Sequence, residues 1–358
     1  MKMLIKLQIV AIFVLVSCNS NHKGFTIIGL TSNIPDSTKI YLADFDSSYV
    51  IGNRFQFKGI VDSIKEYKIY TKGFTDYKIL WIDNSKIIID ASNSTLKKAH
   101  ISGSSLQNVN SKYQDLENYW EKKVDSINLI IRQTNKSDSM LLKGILQIKD
   151  SIILNQQRAN IKFLRSNPDF YLGSFYITFL MFNQPKQITE DMFNTLSEKT
   201  KNNEWGKSVR LYLDKSVDLK VGDNEVDFTL PDIKGKQFRL SSFKGKYVLL
   251  EFWAQWCGGC RRENPTLLKM YRKYNPKGFE IVGVSVDERR EEWESTIKSD
   301  SLIWTTVSDL KGTLGEVPLT YMAYYLPKNY LIDPSGKIID MDIRGSLLEE
   351  RLNSIFKK

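Results

Sequence analysis

The chain has 358 residues, 42% hydrophobic and 26% charged, a balance that gives no case for wholesale disorder and leaves room for two or more domains with sizeable cores. Its formal net charge of +10 is uneven: residues 219–358 hold 22 basic and 20 acidic groups, which leaves 29 and 21 for residues 1–218. The excess sits away from the cysteine pair, and no Arg/Lys stripe interleaved with aromatics accompanies it. The charge therefore reads as solvated surface with at most a weak pull toward anionic lipid, and not as a nucleic-acid footprint.

The opening MKMLIKLQIVAIFVLVSCNS has basic residues at Lys2 and Lys6, then an apolar run to Val16. That run is too short to span a membrane as a helix and fits a secretory signal. Leu15-Val16-Ser17-Cys18 closes it with apolar, small and cysteine residues in order, and resembles a bacterial lipobox. The resemblance implies that residues 1–18 are a lipoprotein signal and that Cys18 carries several acyl chains, enough for stable anchoring. The chain holds three cysteines. With Cys18 lipidated, Cys257 and Cys260 are the remaining thiols, so no framework of structural disulfides can be built; they pair with each other or with something else.

Residues 22–106 contain FTIIGL, TKIYLAD, RFQFKGIV, EYKIYT, YKILWID, KIIIDA and AHISG, short runs rich in Ile, Tyr and Phe between Asn, Asp, Ser and Gly turns. The spacing predicts a small antiparallel β domain, a sandwich or open barrel. His22 and His100 flank it with no partner at metal-ligand spacing, and no metal is expected. Residues 107–218 place apolar residues three and four apart in LENYWEKKVDSINLIIRQ, SDSMLLKGILQIKDSIILNQQRANIKFLRSN and ITEDMFNTLSEKT. This predicts a helical connector with boundaries at Ser137-Asp138 and Asn167-Pro168. Its apolar stripe reads as core, with partner binding or dimerisation as the alternative. Residues 219–358 give a hairpin-like pair, an unbroken apolar strand at 247–253 and a second buried strand in GFEIVGVSVD. Two strands joined at Asp333-Pro-Ser-Gly336 and a last amphipathic helix follow. That order is an α/β layered sheet, part parallel and part antiparallel.

The chemistry concentrates in EFWAQWCGGCRRENP, residues 251–265. Cysteines at i and i+3 are neighbours when the first caps a helix and the second lies one turn in, with Gly258-Gly259 as the tight turn. At the cap, unpaired N–H groups and the positive dipole end favour thiolate, and the Cys257 pKa should fall below the ~8.5 of a free cysteine. Thiolate is the attacking species in disulfide exchange, and Cys260, deeper and less exposed, is placed to attack the mixed disulfide. Phe252, Trp253 and Trp256 are expected to wall the site and keep water from Cys260. Zinc wants four ligands where one CxxC offers two. A structural disulfide closing so short a loop gains little entropically. A redox pair remains.

The same stretch resembles the active-site strand and helix of the thioredoxin superfamily. VGDNEVDFTLPDIKGKQFRLSSFKGKYVLLEFWAQWC, GFEIVGVSVDE and LPKNYLIDPSGKII, in order over roughly 219–358, are more similar still to exported TlpA/ResA-like thiol-disulfide oxidoreductases. A lipobox, a small β-rich domain and a helical connector ahead of such a module resemble Bacteroidetes-type lipoproteins. The resemblance implies a thioredoxin fold with Cys257 as the attacking and Cys260 as the resolving cysteine. Glu251 stands where thioredoxins have a buried acid; burial near Cys260 would raise its pKa and let it take or return that proton. Glu263 matches an acid one turn beyond the second cysteine in the ResA-like branch. Pro327 matches the cis-proline, with Leu326–Pro327 as the cis bond and the Leu326 backbone offered to a substrate strand. Trp256, Gly258 and Gly259 complete the substrate-contacting set. Pro318 is the rival proline, but it lies too far before YLID. Two departures, Gly-Gly between the cysteines and Lys328-Asn329 after the proline, touch redox poise and substrate fit.

The resemblance thus implies an exported, membrane-anchored protein-disulfide reductase facing the periplasm, with no cofactor beyond the Cys257–Cys260 pair and a role like those of cytochrome c maturation. Its partners would be disulfide-containing exported proteins and a membrane electron donor of the thioredoxin-reducing type. The alternatives are a disulfide oxidase or isomerase, and a scaffold lipoprotein whose residues 24–217 recognise a partner beside an auxiliary redox module. Peroxide reduction lacks a distinct peroxidatic cysteine.

Overall fold

The computed structural model describes residues 24–73, 75–135 and 137–357; the expected signal segment, Cys18 and His22 lie outside the described residues. The chain divides between Ile145 and Leu146 into two compact units.

The first unit contains β1 (Phe25–Thr31), β2 (Lys39–Leu42), β3 (Asp46–Tyr49), β4 (Arg54–Gly59), β5 (Lys65–Thr71), β6 (Tyr77–Ile82), β7 (Lys86–Ala91) and β8 (His100–Ser102). Alternate residues turn inward, so Phe25 and Ile27 of β1, Phe55 and Phe57 of β4 and Ile87 and Ile89 of β7 share one core with Ile40, Leu42, Ile69 and Leu80. The orders β4-β1-β7-β8 and β3-β2-β5-β6 make two sheets, one on each side of that core. Two features depart from the expected antiparallel pattern. β1 and β7 run parallel, Ile27 opposite Ile87, because the chain leaves the first sheet after β4, builds β5 and β6 in the second, and re-enters beside β1. Such a crossover is what a parallel pair requires. β3 has the sequence DSSY, turn-forming residues with no strand signature, and it forms by pairing with β2. Helix α1 (Ser105–Gln133) follows, capped by Ser104, whose hydroxyl accepts from Gln107 N at 3.0 Å.

Helix α2 (Ser139–Ser166) keeps both sequence boundaries: Asp138 accepts from Leu141 N at 3.1 Å at its start, and Asn167-Pro168 follows its end. The second unit continues with α3 (Gly173–Leu180), α4 (Lys186–Asn194), α5 (Glu198–Lys201) and α6 (Glu204–Lys215). The single helix expected over ITEDMFNTLSEKT is two, α4 and α5, because Ser197 turns the chain and its hydroxyl caps Thr200 N at 3.4 Å. Helix α6 lies against the segment around Thr320, whose carbonyl accepts from Val217 N at 3.1 Å.

Then come the hairpin β9 (Thr229–Pro231) and β10 (Gln237–Arg239), β11 (Tyr247–Trp253), α7 (Gly258–Tyr274), β12 (Phe279–Ser285), α8 (Arg290–Ser299), β13 (Thr305–Val307), α9 (Glu316–Thr320), β14 (Lys328–Ile332), β15 (Ile338–Met341) and α10 (Gly345–Phe356). The sheet order is β13-β12-β11-β14-β15; β11, β12 and β13 are parallel, β14 runs antiparallel to β11, and β15 runs antiparallel to β14. This is the thioredoxin fold that the resemblance implies. Central β11 is covered on both faces, which is why it reads as an apolar run. Leu249 and Trp253 pack with Leu267 and Met270 of α7 and Leu348 and Leu352 of α10. Val248, Leu250 and Phe252 pack on the opposite face with Tyr321 and Tyr330.

Candidate active site

β11 ends at Trp253, and the chain turns through Ala254–Trp256 into α7. Cys257 N donates to Ala254 O at 3.0 Å and Gly258 N to Trp256 O at 3.1 Å. Asp287, fully buried just after β12, accepts from Gln255 N at 2.9 Å and from Ser285 Oγ at 2.8 Å, tying this turn to the neighbouring strand. Cys257 is the N-cap of α7, its sulfur accepting from Cys260 N at 3.1 Å, and the two cysteines are joined in a disulfide. Cys257 keeps 6% of its surface exposed and Cys260 0%, so an approaching molecule meets Cys257 first.

The aromatics divide three ways. Trp253 lies in the cluster that encloses the pair. Phe252 does not wall the site, because alternation along β11 turns it to the other face, beside Tyr321 at 5.4 Å. Trp256 is 59% exposed and stands at the rim; it does not seal Cys260. The Gly258-Gly259 turn lies beside Arg262 and Pro327: a Cβ on Gly258 would stand 3.5 Å from Arg262 Nη1, and one on Gly259 3.3 Å from Pro327 Cδ. Gly258→Ala is therefore expected to change the exchange rate with a polypeptide cystine by less than about twofold. Gly259→Leu, which must displace Pro327, is expected to lower kcat/KM by about tenfold or more. Stopped-flow tryptophan fluorescence reads both, and equal effects of the two substitutions would contradict this geometry.

Glu251 is buried in mid-strand, opposite Gly283 of β12 and Asn329 of β14, on the β11 face that carries Leu249 and Trp253 and that α7 covers. Burial pushes its carboxyl up to about 8; the Arg344 guanidinium pulls against that rise and Glu263 adds to it. Glu263 is no free surface acid, since its Oε2 accepts from Gly345 N at 3.3 Å in the first turn of α10. Leu326–Pro327 is the cis peptide, and Pro318 lies within α9.

Asp287 and Arg344 escape sequence reasoning, and Asn329, singled out there only as a departure after the proline, has a structural part at the site as well. Arg344 Nη2 donates to Pro327 O and, at 3.4 Å, to Asp342 Oδ1, while its Nε is buried without a partner. Asn329 holds the same segment, donating from Nδ2 to Ile343 O at 3.0 Å and accepting at Oδ1 from Ile343 N at 3.1 Å. The signal for Asn329 was there to read: a polar side chain inside the buried strand KNYLI. Arg344 carries none beyond standing just before the last helix.

Residues 221–341 match the AhpC/TSA family, and residues 25–110 match a Domain of unknown function (DUF4369). Thiol-disulfide oxidoreductase ResA from Bacillus cereus is 36% identical over 147 residues, which cover 41% of this chain and 83% of that protein. The chain belongs to the ResA-like thiol-disulfide oxidoreductases. ResA from Bacillus subtilis is 33% identical over 135 residues, covering 38% of this chain and 73% of that protein. The solved thioredoxin domain of a thiol-disulfide oxidoreductase from Bacteroides vulgatus is 39% identical, over 38% of this chain and 98% of that one, with a TM-score of 0.37. Among the described residues of this ResA-like chain, no helix is long and apolar enough to cross a membrane.

Proposed function

We propose that the chain is an exported, lipid-anchored reductase of polypeptide disulfides, with Cys257 attacking and Cys260 resolving. The observation that supports this most is the asymmetry of the pair: Cys257 caps α7 and keeps a small part of its surface in solvent, while Cys260 keeps none. The Cys257 thiolate attacks one sulfur of a substrate cystine, forming a mixed disulfide and expelling the other sulfur as thiolate. The Cys260 thiolate then attacks the Cys257 sulfur and releases the second substrate thiol. Two electrons pass to the substrate and the Cys257–Cys260 disulfide is left behind. A membrane dithiol donor returns the pair to the reduced state, and the apolar opening segment with Cys18 supports export and anchoring.

The Arg262 cation beside the Gly258-Gly259 turn and the N-terminus of α7 both favour Cys257 as thiolate. Glu251, its carboxyl pushed up to about 8 by burial, can hold or give up a proton near neutral pH and so serves proton exchange with Cys260. Pro327 and the Leu326 backbone receive the substrate strand, with Trp256, Gly258 and Gly259 around them. Arg344 positions the cis-proline carbonyl and draws the Glu251 carboxyl downward. Arg344→Met should therefore move the Glu251-dependent limb of the pH–rate profile to higher pH by about one unit. An unmoved profile would show that Arg344 does not act through Glu251.

The function is tested by mixing the reduced chain with a polypeptide that contains one cystine. Two substrate thiols should appear for every Cys257–Cys260 disulfide formed, counted by alkylation and mass spectrometry. Oxidation of the pair without substrate thiols contradicts the proposal.

A further inference from the structure

Two uncharged stretches meet beside the disulfide. Residues 170–185, FYLGSFYITFLMFNQP, and residues 317–327, VPLTYMAYYLP, contain no Asp, Glu, Lys or Arg in a chain that is 26% charged. The first holds α3 and the turn after it; the second runs from α9 into the cis-proline. Phe182 stacks on Tyr324 with ring centroids 4.4 Å apart, and Tyr324 meets Tyr325 edge to face at 5.1 Å. Tyr325 OH donates to Asn183 Oδ1 at 2.8 Å, and Asn183 Nδ2 donates to Phe179 O at 3.4 Å. These contacts fasten the end of α3 to the two residues that precede Leu326 and Pro327. Yet Phe179 leaves 47% of its surface in solvent and Tyr325 59%. Charge borders the disulfide elsewhere, where Glu288, Arg289 and Glu292 line a hollow beside Trp256.

We propose that Phe179 and Tyr325 form a neutral aromatic ledge that binds apolar residues flanking the cystine of a polypeptide substrate. A helix outside the thioredoxin fold would then help to choose what is reduced. This rests on the reading of Cys257–Cys260 as a reductant of polypeptide cystines. Rings already held by neighbours lose little freedom on binding, and a surface without charge leaves charged flanks desolvated and unmatched. Among the described residues the backbone N–H and C=O of Leu326 make no hydrogen bond, so a substrate strand paired there would carry its next residues past Tyr325, one position away. The fitting occupant is an extended, non-native segment, because apolar residues next to a cystine are mostly buried once a protein has folded.

The test uses the full chain and two cystine peptides of equal length, one with Leu and Phe beside the cystine, the other with Asp and Lys. The apolar peptide should be reduced with a kcat/KM about tenfold higher, the scale of one apolar contact. Phe179→Gln and Tyr325→Gln should each bring that ratio near one, and Tyr325→Phe, which keeps the ring, should retain it. Both peptides are read on one preparation, so partial unfolding of a variant cancels from the ratio. A wild-type ratio near one, or a ratio that survives both Gln substitutions, overturns the ledge. So does a change in sedimentation of Phe179→Gln with the ratio intact, which would make the surface a contact between copies. Failure of the wild type to release thiols from either peptide overturns the parent reading instead.

Discussion

Cys260→Ser is expected to abolish turnover and to leave Cys257 covalently joined to its substrate. The attacking half of the site survives this change. Cys257 still caps α7, its sulfur still receives the backbone N–H of position 260, and Arg262 still flanks the turn. A serine hydroxyl in the sealed position has no thiolate form to attack the mixed disulfide, so the intermediate persists. Multiple-turnover rates should fall by a factor on the order of 10³ or more, the scale seen when one member of a nucleophilic unit is removed. Cys257→Ser should lose turnover equally and trap nothing, because Cys260 is 0% exposed and no polypeptide sulfur can reach it. Non-reducing electrophoresis followed by mass spectrometry separates the two variants. Trapping by Cys257→Ser, or sustained turnover by Cys260→Ser, would reverse the assigned roles.

Glu251→Gln should have the second largest effect, and it acts on rate and stability in opposite senses. A carboxyl that titrates near 8 gives or takes a proton at almost no cost at neutral pH, and an amide does neither. Loss of such a group slows proton-coupled steps by about 10²–10⁴-fold. Stability moves the other way. The folded-state pKa of about 8 lies above the ordinary 4.5, so the folded chain holds this proton more tightly than the unfolded chain does. Its contribution is complete below about 4.5 and is lost as pH rises through about 8. Each tenfold difference in proton affinity is worth about 1.4 kcal/mol, so the wild type should lose on the order of 3–5 kcal/mol relative to Glu251→Gln across that window. Urea unfolding of both proteins at pH 5 and pH 8.5 measures the gap. Parallel stability curves would mean that Glu251 titrates like a surface acid.

What could be read from the sequence follows the range of the interactions. β11, α7 and the cysteine pair were legible because local rules determine them: a continuous apolar run, a cap residue, and a spacing of one turn. Glu251 was legible as the single acid in that run. β3 was not, because DSSY becomes a strand only through its pairing with β2. The parallel β1–β7 pair was not, since relative direction depends on a crossover through a whole second sheet. The expectation for Phe252 failed for a different reason. Being aromatic and close to Cys257 in sequence does not say which face of the sheet a side chain takes, and alternation along β11 assigns Phe252 to the far one. Arg344 and Asp287 reach the site through tertiary folding, and a spacing rule has no means of finding them.

The direction of electron flow is the central claim, and the Gly258-Gly259 turn, Arg262 and Glu251 all bear on it. The most direct measurement equilibrates the full chain with glutathione redox buffers and follows the oxidised and reduced forms by alkylation. A reductase should give a potential more negative than about −230 mV, toward the thioredoxin end of the range. A value near about −120 mV, where strong disulfide oxidants lie, would make the chain a donor of disulfides and contradict the account.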